Sequence, residues 1–196
     1  MKRIGILLLL AGLALPALTA AASETRIIPS PSSLPSGATI GAGGGQDRAK
    51  IGGVLNVNTT AVGNVGGGED NLITYPVKPN TLSEDGKIVR MTAFGTTAAN
   101  GNTKAVKCYF GATLVTNIST AGSAVDWRHQ ITVIRTGAAT QMAVGTFGFE
   151  DGVGNMNYAT PTEDTGTSIT VKCTGQSTES TTNDIVQRGL IVEVMN

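Results

Sequence analysis

NVGGGEDNLITYPV, residues 64–77, decides the class of the fold. Read as a phosphate-binding loop it implies an α/β protein; read as a turn into a strand it implies a β protein. A phosphate loop needs a strand, a glycine, four residues, Gly-Lys-Ser/Thr, and then a helix whose first N–H groups point at the phosphates. Gly63 and Gly68 have that separation, but Glu69 and Asp70 stand where the lysine and the hydroxyl belong. Two carboxylates there repel a nucleotide. The residues that follow are β-branched and aromatic, which favours a strand over a helix. The segment therefore reads as a turn into a strand, with Gly66, Gly67 and Gly68 supplying backbone freedom and Glu69 and Asp70 as solvated polar flanks.

Working outward, short apolar runs between Gly, Asn, Asp, Ser and Pro clusters place strands at 54–57, 72–77, 88–94, 105–110, 113–116, 127–135, 140–149, 168–174 and 185–194. Alternation strengthens several of these. In AVKCYF, Val106, Cys108 and Phe110 share one face and Lys107 and Tyr109 the other; in SITVKC, Ile169, Val171 and Cys173 share the inward phase. Trp127, His129, Ile131 and Val133 form the core face of their strand, opposite Arg128, Gln130, Thr132 and Ile134. Leu190, Val192 and Val194 point inward and Glu193 outward. With 26 glycines and 4% aromatic residues, the composition suits many short strands joined by turns. The expected fold is all-β, an antiparallel jelly-roll-like β-sandwich of about eight to nine strands.

The N-terminus has a different character. Residues 1–22 carry a basic start (Lys2, Arg3), an apolar run, Pro16 and a small-residue tail ending at Ala22, the layout of a secretory signal. The rival is an uncleaved membrane anchor, long enough at residues 4–22 to just span a bilayer; Pro16 and the small-residue tail favour cleavage after Ala22 or one residue earlier. Residues 23–53, rich in Pro, Ser and Gly, read as a flexible arm or linker, and residues 54–196 as the sandwich domain. Removing Lys2 and Arg3 leaves 12 basic and 14 acidic side chains, so the exported chain is close to neutral. Without a basic stripe it offers nothing to nucleic acid. In an oxidising compartment Cys108 and Cys173, 65 residues apart, are candidates for a disulfide, which on the chain-entropy model contributes about 3 to 5 kcal/mol; the alternative is two buried thiols.

Catalytic and metal-binding signals are weak. GAGGGQ at 41–46 has Gln46 where the last glycine of a dinucleotide fingerprint belongs. GGGEDN and EDGVGN at 150–155 lack the alternating ligands of a calcium loop and read as turns. The single histidine, His129, and its nearest acid, Asp126, point to opposite faces of one strand, so they form no local triad; His129 reads as a core-edge residue beside Trp127. One His and two distant Cys fall short of a zinc site. Glu69, Asp70, Glu150, Asp151, Glu163 and Asp164 pair only as neighbours within loops, not across a glycosidic cleft. Among Trp127, Tyr75, Tyr109 and Tyr158, Tyr109 is the best candidate for surface binding of a sugar. The expectation is a non-enzyme with no catalytic residue, metal or cofactor.

GNVGGGEDNLITYPVKPNTLSEDGKIVRMTAFGTTAANGNTKAVKCYFG and ITVIRTGAATQ, within residues 63–142, resemble small jelly-roll modules of tailed-phage structural and tail-associated proteins. The likeness covers somewhat under half of the chain and carries no functional residue. It implies a structural or receptor-binding protein of virion, tail or cell-surface type, a homo-oligomer (a trimer by that analogy), whose loops meet a cell-surface glycan or a neighbouring virion subunit. The secretory N-terminus departs from such proteins; a prophage-derived bacterial gene or an exported viral protein reconciles the two, and a membrane role arises only through an uncleaved signal. The alternative is a secreted or periplasmic carbohydrate-binding module or glycoside hydrolase.

Overall fold

Glu69 opens a nine-residue strand rather than flanking one, and strands make up most of the described residues. The computed structural model describes residues 52–121, 124–149 and 154–195; the signal cleavage position at Ala22 and nearly all of the arm lie outside them. Among the described residues there are eleven strands: β1 (Gly53–Asn58), β2 (Val62–Gly63), β3 (Glu69–Val77), β4 (Ile88–Thr97), β5 (Thr103–Phe110), β6 (Thr113–Ala121), β7 (Asp126–Gly137), β8 (Thr140–Phe149), β9 (Gly154–Ala159), β10 (Ile169–Ser177) and β11 (Ile185–Met195). All pairing is antiparallel. The nine expected strands are all found. The two additions, β2 and β9, carry no periodic signal: one has two residues and the other is exposed from Gly154 to Tyr158.

The strands form a four-stranded sheet ordered β3-β10-β5-β6 and a seven-stranded sheet ordered β1-β11-β4-β7-β8-β9, with β2 continuing the β1 edge along β11. Count β1 and β2 as one strand and set aside β8 and β9, and the remaining eight pair first with last, second with seventh, third with sixth and fourth with fifth. That nesting is an eight-stranded antiparallel ribbon rolled up on itself, a jelly roll. β8 and β9 widen one of its sheets.

Side chains alternate as the two-residue period demands. In β5 Lys104, Val106, Cys108 and Phe110 are buried, and in β7 Trp127, His129, Ile131 and Val133. The core between the sheets includes Leu82, Met91, Phe110, Trp127, Ile185 and Leu190. Pro76, which cannot donate to a ladder, sits on β3, an edge strand. The β5–β6 hairpin turns on Gly111, whose φ of 60° is the positive value wanted at the first position of a two-residue turn.

One link crosses the layers and another fastens a single sheet. Gln187, fully buried on β11, accepts the Ile73 N–H of β3 across the sandwich (3.0 Å) and donates to the Gly189 carbonyl (3.1 Å). Cys108 of β5 and Cys173 of β10 are cross-strand partners joined by a disulfide, their Cα atoms 4.0 Å apart and both side chains in the core. The expected bridge is therefore present, and it staples two neighbours of one sheet.

Candidate functional site

The glycine turn is held by its two ends. The buried Asn64 side chain donates from Nδ2 to the carbonyls of Gly66 (3.0 Å) and Thr181 (2.9 Å) and accepts the Ile185 N–H (2.9 Å). Asp70 Oδ2 accepts the N–H groups of Val65 (2.7 Å) and Gly66 (3.1 Å). This corrects the reading of Glu69 and Asp70 as flanks: Glu69 is exposed, but both lie within β3, where Asp70 closes the turn and Glu69 anchors a network on the outer face of the smaller sheet. The glycine run binds its own chain.

Tyr109, the candidate for surface binding, belongs to that network. Its hydroxyl donates to Glu69 Oε1 (2.6 Å), which also accepts from Thr174 Oγ1 (2.8 Å), while Lys107 pairs with the other carboxylate oxygen. Lys172 Nζ stands 5.5 Å from the Tyr109 ring centre and donates to Asn71. Burial alone would raise the Glu69 pKa, but hydrogen bonds from Lys107, Tyr109 and Thr174 and the lysine charge outweigh it and bring the group down to about 2. Burial, with the hydrogen bond to Glu69 and its charge, pushes the Tyr109 phenol up to about 12. Tyr109 is outward, as expected, but its polar end is committed to Glu69.

Other polar groups are also spent on structure. Asp184, buried, accepts from Asn100 (2.6 Å), Asn102 (2.7 Å) and Ser177 (2.6 Å), and buried Lys104 donates to the carbonyls of Asn100 and Asn102. Burial opposes ionisation of Asp184, yet these hydrogen bonds and the Lys104 charge hold its pKa below the ordinary value. Glu163 accepts the Ala112 N–H and Asp164 that of Gly166, both as turn caps. His129 lies in the core itself rather than at its edge: it is fully buried, stacked on Phe147, with Nδ1 sharing a hydrogen bond with Thr116 Oγ1 (2.8 Å), and burial pushes its pKa down to about 3. Among the described residues no three His, Cys, Asp or Glu side chains group as metal ligands; most of the acidic loop at 150–155 lies outside them.

One surface is built differently. On the outer face of the seven-stranded sheet a groove of about 680 Å³ runs over β4, β7, β8 and β11, with Phe94, Asp126, Arg128, Gln130, Thr146 and Arg188 among its lining. Its volume falls within the usual range for small-molecule sites. The register sets Gly189, Phe94 and Arg128 side by side across three strands, and Gln130 opposite Thr146. Phe94 lies over Gly189, where a Cβ would come within 2.3 Å of the ring. Arg188 projects from the irregularity in β11 between Gln187 and Gly189. Neither arginine has an ion pair or hydrogen bond with another described residue.

Sequence reasoning placed Arg128 and Gln130 on the solvent face of β7 but did not single out the groove. The available signal was Phe94, an aromatic in the outward phase of a strand whose inward phase is Val89, Met91 and Ala93. No family model matches this chain, and no curated protein matches it either.

Proposed function

We propose that the protein is a non-enzymatic structural or receptor-binding β-sandwich, of virion, tail or cell-surface type, that is exported and acts by self-association and surface recognition. The observation that carries the reading is the edge of the larger sheet, which no other strand among the described residues covers. β9 is the last strand of that sheet and reads GNMNYA, with no charge and no proline to discourage pairing. Met156 and Tyr158 on it are 63% and 66% exposed and continue an apolar strip through Val144 and Met142 of β8. Water-exposed apolar side chains beside an undefended edge suit burial against another copy of the chain. The disulfide is in keeping with export.

Size-exclusion chromatography with light scattering on the full-length gene product, after export, tests this. A discrete homo-oligomer is expected, a trimer by the resemblance to tail modules; a strict monomer at all concentrations overturns the self-association. The second reading, a secreted or periplasmic carbohydrate-binding module, is favoured by one observation, the aromatic- and arginine-lined groove.

A further inference from the structure

We propose that the groove over β4, β7, β8 and β11 binds an acidic saccharide, a pyranose ring bearing a carboxylate, with Arg128 and Arg188 taking the carboxylate and Phe94 the apolar face of the ring. The inference rests on reading the protein as a surface-recognition sandwich and names the ligand class.

The arginines carry the first part. Arg128 on β7 and Arg188 beside Gly189 on β11 flank Phe94 on the intervening strand. At about 4.8 Å between strands their backbones stand roughly 10 Å apart, within reach of two long side chains converging on one anion. With no acidic partner among the described residues, both guanidinium forks are available, and a carboxylate is the planar anion that such a fork pairs with best.

Phe94 carries the second. Its ring is seated on Gly189 and is 39% exposed, so an aromatic surface is held on the sheet instead of swinging free. The negative face of an aromatic ring attracts the weakly positive C–H groups on one side of a pyranose. Asp126, Gln130 and Thr146 around it offer acceptors and donors for ring hydroxyls. Asp126 also selects against a dense polyanion: a polyphosphate or nucleic acid would bring several charges past that carboxylate, whereas a single sugar acid sends its one charge to the arginines and its hydroxyl protons to Asp126.

The test titrates the purified full-length gene product with trigalacturonate and N-acetylneuraminic acid, using galactotriose as the neutral probe and citrate as the sugar-free carboxylate. Saturable binding of at least one acidic sugar is expected, with galactotriose and citrate at least about tenfold weaker. Arg128→Ala and Arg188→Ala should each weaken it by about tenfold or more, Phe94→Ala should weaken it as well, and Arg128→Lys should fall between, since it keeps the charge and loses the fork. Unchanged thermal stability shows that these exposed-site variants fold; if one does not, the comparison of probes on the unaltered protein still decides. Absence of saturable binding of both acidic sugars at millimolar concentration, affinity unchanged in both arginine-to-alanine variants, or citrate binding as tightly as the sugars each overturns the proposal. Light scattering on the same samples separates it from the self-association: a monomer that binds an acidic sugar keeps the site and loses the oligomer, and an oligomer indifferent to acidic sugars does the reverse.

Discussion

The Asn64 carboxamide uses its oxygen and both N–H donors on three backbone groups, those of Ile185, Gly66 and Thr181, all around a position with 1% exposure. Asn64→Ala leaves those groups without partners in a site closed to water, which should cost about 3 kcal/mol in urea unfolding. His129 makes stability depend on pH. Its folded pKa of about 3 lies below the ordinary value of 6.5, so between those values the unfolded chain binds a proton that the folded chain refuses. Stability from this group is complete above pH 6.5 and falls by about 1.4 kcal/mol per unit as pH drops toward 3. Glu69, held at about 2 against 4.5, adds a further loss as pH falls below 4.5. Urea unfolding at stepped pH should show the decline beginning near 6.5, and His129→Gln should delay its onset until carboxylates titrate; an unaltered onset would refute the histidine's part.

At the scale of the element, β5 and β10 show how much alternation discloses. Lys107, Tyr109 and Lys172 face out and both cysteines face in because side chains in a strand change face at every residue, so the phase of a bridge is readable from a few letters. That Cys108 stands directly opposite Cys173 is a matter of register between strands far apart in the chain, which no local pattern encodes. Intact mass should therefore rise by two hydrogens on reduction, and Cys108→Ala/Cys173→Ala should lower unfolding free energy by about 4 kcal/mol, the chain-entropy value for a separation of 65 residues. β9 is the converse case. GNMNYA has poor strand propensity and becomes a strand because β8 offers a ladder of backbone donors and acceptors beside it. Tyr158→Asp should dissolve the expected oligomer, seen by light scattering, at little cost to the monomer's melting temperature, because the side chain is solvent-exposed and packs on no core.

For the whole molecule, the amino-acid sequence by itself determined the class and the layering. Glycine and polar punctuation between apolar runs, and alternation within them, admit antiparallel sheets with one buried face and exclude helices along the domain. It also excluded a phosphate loop, since Glu69 and Asp70 carry the wrong charge. Only the tertiary structure decided what those two acids do, because Lys107, Tyr109 and Thr174 reach Glu69 from strands 38 to 105 residues away. The groove is of the same kind. Phe94, Arg128 and Arg188 are unremarkable surface residues until the jelly roll lays β4 between β7 and β11 and an irregularity in β11 turns Arg188 outward. A strand's own residues set which of its side chains face the core, by a period of two; its neighbours are set by the closure of the whole ribbon, which no single strand contains.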